Sequence, residues 1–251
     1  MNPRITDWEG RRVWLVGAST GIGAALARDL HGRGARLALS ARDPGKLAAL
    51  GLAGATLAPC DATDGTALAT ARTTVLRAMA GLDLVVYLAG DYVPMTADNF
   101  DLATAERVVE INFLGAMRLA HTVLTDILPG GGIAFVASVA GYRGLPRALC
   151  YGPGKAALIH FAECLHLDLA PRNIGVWVVN PGFVATRLTA RNDFAMPALL
   201  TPEAAARALV EGFASGRFEI HFPKRFTRVL KCLALLPYRW YFPLIRRFTG
   251  G

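Results

Sequence analysis

The sequence predicts an α/β domain in which a doubly wound, parallel, seven-stranded sheet carries helices on both faces. Three observations carry that expectation. From residue 12 onward, short apolar runs alternate with longer segments of helical period, the order produced by crossover connections between parallel strands. The apolar runs do not alternate with polar residues, as expected when both faces of a sheet are covered. A glycine-rich turn, GASTGIG at 17–23, joins the first apolar run to the first helical segment.

The strand runs are RRVWLV (11–16), ARLALSA (35–41), ATLAPCD (55–61), LDLVVYLAG (82–90), GGIAFVAS (131–138), IGVWVVN (174–180) and FEIHF (218–222). Helical segments fall between them at 25–34, 66–80, 101–128, 156–170 and 202–216. Thr201-Pro202-Glu203 opens the last of these with an N-cap, a proline at N1 and an acid in the first turn. No repeat or low-complexity linker interrupts the order, so residues 1–223 read as one domain and 224–251 as a tail.

Bulk properties agree. A chain of 251 residues, 53% hydrophobic with 26 glycines, suits one large core. Cys60, Cys150, Cys164 and Cys232 show no CxxC spacing and read as buried small apolar residues in a reducing compartment. The five histidines lack ligand spacing, so no metal site is expected. The opening MNPRITDWEG has no apolar core of a secretory signal, and a cytoplasmic location follows as the expectation. Net charge is +8, but residues 1–223 nearly balance 20 Lys and Arg against all 19 acids, and the excess belongs to the tail. That distribution argues against nucleic acid as a partner, because no basic face interleaved with aromatics precedes residue 223.

The turn at 17–23 has a physical use. Glycines let the backbone of Gly17, Ser19, Thr20, Gly21, Ile22 and Gly23 approach a pyrophosphate at a helix N-terminus, where the macrodipole favours the anion. At the end of the second strand, where dinucleotide folds place an acid for the ribose hydroxyls, Ala41 is followed by Arg42. A guanidinium without a carboxylate pairs with a 2′-phosphate, so NADP(H) is favoured over NAD(H). The alternative is a solvated surface arginine.

Residues 151–161, YGPGKAALIHF, place a tyrosine and a lysine four apart with Pro153 between them. Proline costs little in a first turn, where N–H groups lack intrahelical partners, so the helix is expected to begin near Tyr151 or Gly152. Tyr151 and Lys155 then stack one turn apart, and a nearby ammonium is expected to lower the phenol pKa toward the working range. Thirteen residues upstream, Ser138 ends the fifth strand at the sheet edge where open α/β folds bind ligands.

From about residue 12 to 222 these motifs, in this order, resemble the short-chain dehydrogenase/reductase family, with its Rossmann-type fold. The GxxxGxG turn is similar to the family's, with Val16 in the usual threonine position. Asp61, with Ala62 beside it, is similar to the aspartate that contacts adenine, and Ala89 with Gly90 to the close backbone approach after the fourth strand. Asn112 corresponds to the active-site asparagine. Pro181, Gly182, Val184 and Thr186 in NPGFVAT correspond to the segment lining the nicotinamide.

The resemblance implies hydride transfer between nicotinamide and a carbonyl or alcohol. It makes Ser138 the positioner of the carbonyl oxygen and Tyr151 the proton donor to the nascent alkoxide. Lys155 would hold the nicotinamide ribose and Asn112 a relay water. It also implies homo-oligomers formed through two long helices, and a pocket walled near 92–95, 141–145 and 183–196. Those walls are mainly apolar, so a lipophilic ketone or aldehyde is the expected substrate, with Arg143, Arg187 and Arg191 offering room for an acidic head. The family's NNAG appears here as YLAG (87–90), and its serine before the lysine as Gly154. A rival reading is a non-catalytic NAD(P)-binding regulatory or membrane-docked scaffold protein; the retained Tyr151 and Lys155 weigh against it.

The tail, KRFTRVLKCLALLPYRWYFPLIRRFTGG, has no acid and seven cations. Its longest uncharged stretch, 232–238, is far short of the roughly twenty residues that span a bilayer. It suits peripheral contact with the cytoplasmic membrane face, cations meeting anionic lipid and aromatics at the interface. Packing on the subunit is the alternative.

Overall fold

The structure is a computed structural model describing residues 1–191 and 196–249. Seven strands form one fully parallel sheet: β1 (Arg12–Val16), β2 (Arg36–Ser40), β3 (Thr56–Leu57), β4 (Leu82–Tyr87), β5 (Ile127–Val136), β6 (Gly175–Pro181) and β7 (Glu219–Phe222). Their order is β3-β2-β1-β4-β5-β6-β7. The order reverses between β1 and β4, which opens a crevice beyond the strand ends there.

The helices are α1 (Gly21–Gly32), α2 (Pro44–Ala48), α3 (Gly65–Met79), α4 (Leu102–Val109), α5 (Gly115–Val123), α6 (Tyr151–Leu169), α7 (Pro202–Ser215), α8 (Lys224–Ala234) and α9 (Tyr238–Thr249). Side chains alternate across the sheet, which divides the core into two layers. Val13, Leu15, Leu37, Leu39, Trp177 and Val179 pack against α1 and α7. Trp14, Val16, Val85, Tyr87, Phe135 and Val178 pack against α3, α5 and α6. Both faces are buried, so the strands are apolar through most of their length.

Local signals set the helix starts. Asp43, Asp64, Asp101 and Thr201 each accept a hydrogen bond from the first turn of α2, α3, α4 and α7; each cap contributes about 1 kcal/mol. Helix α6 begins at Tyr151 with Pro153 in its first turn, as its sequence predicts.

Three features depart from the sequence expectations, and the tail takes the packed alternative given for it. The segment at 101–128 is two helices joined by a π-helical turn, Glu110–Leu114, and its end already belongs to β5. The short helix α2 was not foreseen. Cys164 and Cys232 are exposed, while Cys60 and Cys150 are buried, and none is disulfide-bonded. The tail is folded: α8 and α9 pack on the domain, burying Thr227, Tyr241 and Ile245.

Candidate functional site

The crevice between β1 and β4 begins at the glycine turn. Gly17 has φ +96°, and a Cβ there would lie 2.5 Å from the Ala89 nitrogen. A Cβ on Gly23 would lie 2.2 Å from the Gly17 carbonyl oxygen. The turn is thus closed to any side chain at either position. Thr20 caps α1 without a side-chain bond, and no acid stands in the first turn. The helix N-terminus therefore presents unpaired N–H groups and positive potential to the crevice.

One continuous cleft follows from this turn. The end at the glycine turn is lined by Gly17, Ser19, Thr20, Gly21, Ile22 and Gly23, and the flank beyond β2 and β3 by Arg42, Asp61 and Ala62. The Asp61 carboxylate is fixed by bonds from the Thr63 backbone (2.9 Å) and hydroxyl (2.7 Å). Lys46, in α2 and 3.6 Å from Asp43, adds a second cation to the flank that Arg42 lines. Sequence reasoning missed Lys46, although the Asp43-Pro44 start of α2 was a usable signal.

The opposite end is lined by Ala89, Gly90, Ser138, Tyr151, Lys155, Pro181, Gly182, Val184 and Thr186. The Ser138 hydroxyl stands beside the Tyr151 phenol and favours its charged form. The Tyr92 ring meets the Tyr151 ring edge-on, centroids 5.1 Å apart. Lys155 Nζ lies 5.6 Å from the Tyr151 ring centroid and donates to the Val136 carbonyl at 2.8 Å.

Asn112 stands behind this wall, in the π-helical turn, rather than lining the cleft. Its amide nitrogen donates to the carbonyls of Asp91 (2.6 Å) and Val108 (2.8 Å), while its buried Oδ1 has no hydrogen-bond partner among the described residues. A Cβ on Gly90 would stand 2.8 Å from that oxygen and 3.6 Å from Lys155 Nζ, so glycine keeps the path between them open.

The electrostatics correct one expectation. Burial pushes the Tyr151 phenol up to about 12, a rise that the Ser138 hydroxyl only partly opposes. Burial also pushes Lys155 down to about 7. With a carbonyl and a ring as neighbours, desolvation of each charged form outweighs the attraction expected between ammonium and phenolate. In this state the phenol is an acid that holds its proton.

The YLAG departure has a structural substitute. Tyr87 donates from its hydroxyl to the Ile111 carbonyl at 2.6 Å, and a Cβ on Gly115 would come within 2.4 Å of that hydroxyl. Tyr87 thus fastens β4 to the turn that carries Asn112. Where the family has a serine before the lysine, Gly154 leaves ordinary contact space: a Cβ there would stand 3.7 Å from the Asn112 Cβ.

Residues 11–195 match the family model of the short chain dehydrogenases. The chain belongs to the short-chain dehydrogenase/reductase family. It is 33% identical over 241 residues to a Myxococcus xanthus protein described as an uncharacterized oxidoreductase, covering 93% of this chain and 95% of that one. A Burkholderia cenocepacia short chain dehydrogenase in complex with NADP superposes with a TM-score of 0.84 at 22% identity, covering 98% of this chain and 100% of that one. A Burkholderia phymatum family member in complex with NAD superposes with a TM-score of 0.82 at 21% identity, covering 90% and 94%. As a short-chain dehydrogenase/reductase, the protein is an NAD(P)-dependent oxidoreductase.

Arg143 was expected to face the substrate, and it does not. Its guanidinium donates to the carbonyls of Ala234 (2.7 Å) and Leu236 (2.5 Å) and lies 4.3 Å from the ring centroids of both Tyr238 and Tyr241. The tail consumes this cation. Arg187 lines the cleft, whereas the Arg191 side chain and residues 192–195 lie outside the described residues.

Proposed function

We propose that the protein is an NADPH-dependent carbonyl reductase or alcohol dehydrogenase that transfers hydride between nicotinamide and a lipophilic ketone, aldehyde or alcohol. The observation that carries this reading is the convergence of Ser138, Tyr151 and Lys155 at one end of a cleft whose other end is the glycine turn. The side-chain-free cradle at Gly17 and Gly23 and the orphaned Asn112 Oδ1 fit a nicotinamide dinucleotide and a relay water.

In this mechanism the cofactor supplies or accepts the hydride. Ser138 holds the carbonyl oxygen against the phenol, and Tyr151 gives its proton to that oxygen as negative charge develops. Lys155 holds the ribose and returns a proton to Tyr151, with Asn112 Oδ1 accepting from the water that refills it. A phenol that keeps its proton at neutral pH suits reduction more than oxidation.

Arg42 and Lys46 at the ribose edge, with Ala41 in place of an acid, support NADPH. Apolar substrate is supported by the Phe183–Phe226 ring pair beside Gly182 and by exposed Leu149 and Leu199. Exposed Met117 on α5 and Leu167 on α6 support pairing of copies through those helices, measurable by light scattering.

The test follows absorbance of NADPH and NADH with a panel of apolar carbonyls and sugars. NADPH oxidation with an apolar ketone or aldehyde is expected. Tight NADPH binding without turnover of any carbonyl or alcohol would favour the non-catalytic rival instead.

A further inference from the structure

We propose that the outer face of α8 and α9 is a docking surface for an anionic lipid bilayer. The two helices divide their side chains sharply. Toward the domain, Thr227, Tyr241 and Ile245 are buried, Lys231 pairs with Glu219, and Tyr241 donates to the Gly144 carbonyl at 2.7 Å. Away from it, Lys224, Arg225, Arg228, Arg239, Arg246 and Arg247 are all exposed, and no acid occurs anywhere in 224–251.

Large apolar side chains of the same tail are exposed beside these cations. Val229, Leu235, Tyr238, Trp240, Phe242 and Phe248 are each more than half exposed, Leu235 at 85% and Phe248 at 72%. Tyr238 and Phe242 stack with centroids 5.5 Å apart, forming one apolar ridge. Leaving such a surface in water is costly, and a monomer that displays one commonly has something to cover it.

Charge selects the occupant. Two copies meeting through this face would bring its cations together, so a second copy is disfavoured. Anionic headgroups complement the arginines, while the aromatic rings and leucines suit the boundary just beneath them. Among the described residues no helix is long and apolar enough to cross a membrane, so the protein would lie on the surface.

The inner contacts fix where the cleft would then open. Arg143 and Gly144, held by the tail, follow Ser138 in the chain, and Phe226 of α8 abuts Gly182. The helices that carry the docking face thus lie beside the substrate end of the cleft, which would let an apolar carbonyl compound pass to it from the bilayer. That last step rests on the reductase reading; the docking itself does not.

The test is sedimentation of the full chain with phosphatidylcholine vesicles, with and without phosphatidylglycerol, at low and high salt. Because the tail buries Tyr241 and holds Arg143, point variants are preferable to truncation. Binding to the phosphatidylglycerol vesicles, weakened by salt, is expected. Arg246→Glu/Arg247→Glu should weaken it at least about thirtyfold, since each cation near such a surface contributes about fivefold. Trp240→Ala/Phe248→Ala should weaken it about tenfold. Melting temperatures and NADPH oxidation with a soluble ketone, measured without vesicles, should match the parent. No sedimentation of the intact chain, equal binding to phosphatidylcholine alone, undiminished binding by both variants, or self-association in place of vesicle binding would each overturn the proposal. Vesicle binding by a parent that turns over no carbonyl would leave docking standing and remove the reductase reading.

Discussion

Lys155 donates from Nζ to the carbonyl of Val136 at 2.8 Å, tying the first turn of α6 to the end of β5 two residues before Ser138. The bond orients the lysine, but a neutral carbonyl compensates poorly for burying an ammonium, and burial lowers its pKa to about 7.

This lowering has a defined effect on stability. Below pH 7 folded and unfolded chains both carry the proton, and the full cost of burying the charge is felt. Between about 7 and the ordinary lysine value of 10.5, the unfolded chain binds a proton that the fold has released, so stability rises with pH. The shift corresponds to something on the order of 5 kcal/mol. Tyr151, raised to about 12, contributes stability that is intact below 10 and lost only as pH climbs through 12. It leaves most of the lysine window untouched. Thermal melts of the cofactor-free protein should therefore rise between pH 7 and the onset of tyrosine ionisation, and Lys155→Met should flatten that rise.

Tyr151→Phe separates chemistry from binding. The substituted ring keeps its edge contact with Tyr92, but the proton that the proposed mechanism delivers to the carbonyl oxygen is gone. Turnover should fall by about 10²–10⁴-fold, the usual worth of a positioned acid. NADPH affinity, followed by fluorescence titration, should be nearly unchanged. In the parent, oxidation of alcohols should accelerate as pH rises toward the phenol pKa, while reduction should not.

The fold was legible because both sheet faces are covered: Val13 to Val16 serve the two core layers alternately, and each such run announces a strand. The residues lining the cleft were legible because turn, strand end and helix start each bear their own local signature. What lay hidden depends on distant partners. The hydrophobic period runs unbroken through 110–114, so the π-helical turn that sets Asn112 behind Gly90 left no sign. Arg143 looked free because the carbonyls and rings that hold it lie more than 90 residues onward. The pKa of Tyr151 was misjudged because pair spacing shows the attraction and not the burial that defeats it.

Cofactor choice should move with Arg42. Its loss, as Arg42→Ser, removes a charge-assisted bond worth about 1.5–3 kcal/mol, so KM for NADPH should rise about 10- to 100-fold with little change for NADH. Lys46, with its side chain more than half exposed and shared with Asp43, should matter less: Lys46→Ala should raise the same KM only a few-fold. An equal effect on both cofactors in Arg42→Ser would show that the guanidinium does not meet a 2′-phosphate.

Glu219 joins the tail to two segments that lead into the cleft lining. Its Oε1 accepts from Tyr142 (2.5 Å), which follows Ser138 by four residues, and from Asn180 (2.9 Å), just before the Pro181–Gly182 wall. Its other oxygen takes Lys231 of α8. Burial acts to raise its pKa, yet the bonds from Lys231, Tyr142 and Asn180 prevail and hold it below the ordinary glutamate value of 4.5. The sign follows: this stability is present above 4.5 and is lost as pH falls through the lower folded value. Glu219→Gln keeps the shape but leaves the Lys231 charge without its counterion, which should cost about 1–3 kcal/mol. For a chain of this size each kcal/mol lowers the melting temperature by about 2–4 °C. Because Tyr142 and Asn180 flank Ser138 and Gly182, turnover should fall as well, and protease should reach α8 sooner than in the parent. A Glu219→Gln variant with parental melting and parental turnover would mean that the tail and these two segments are held independently of this carboxylate.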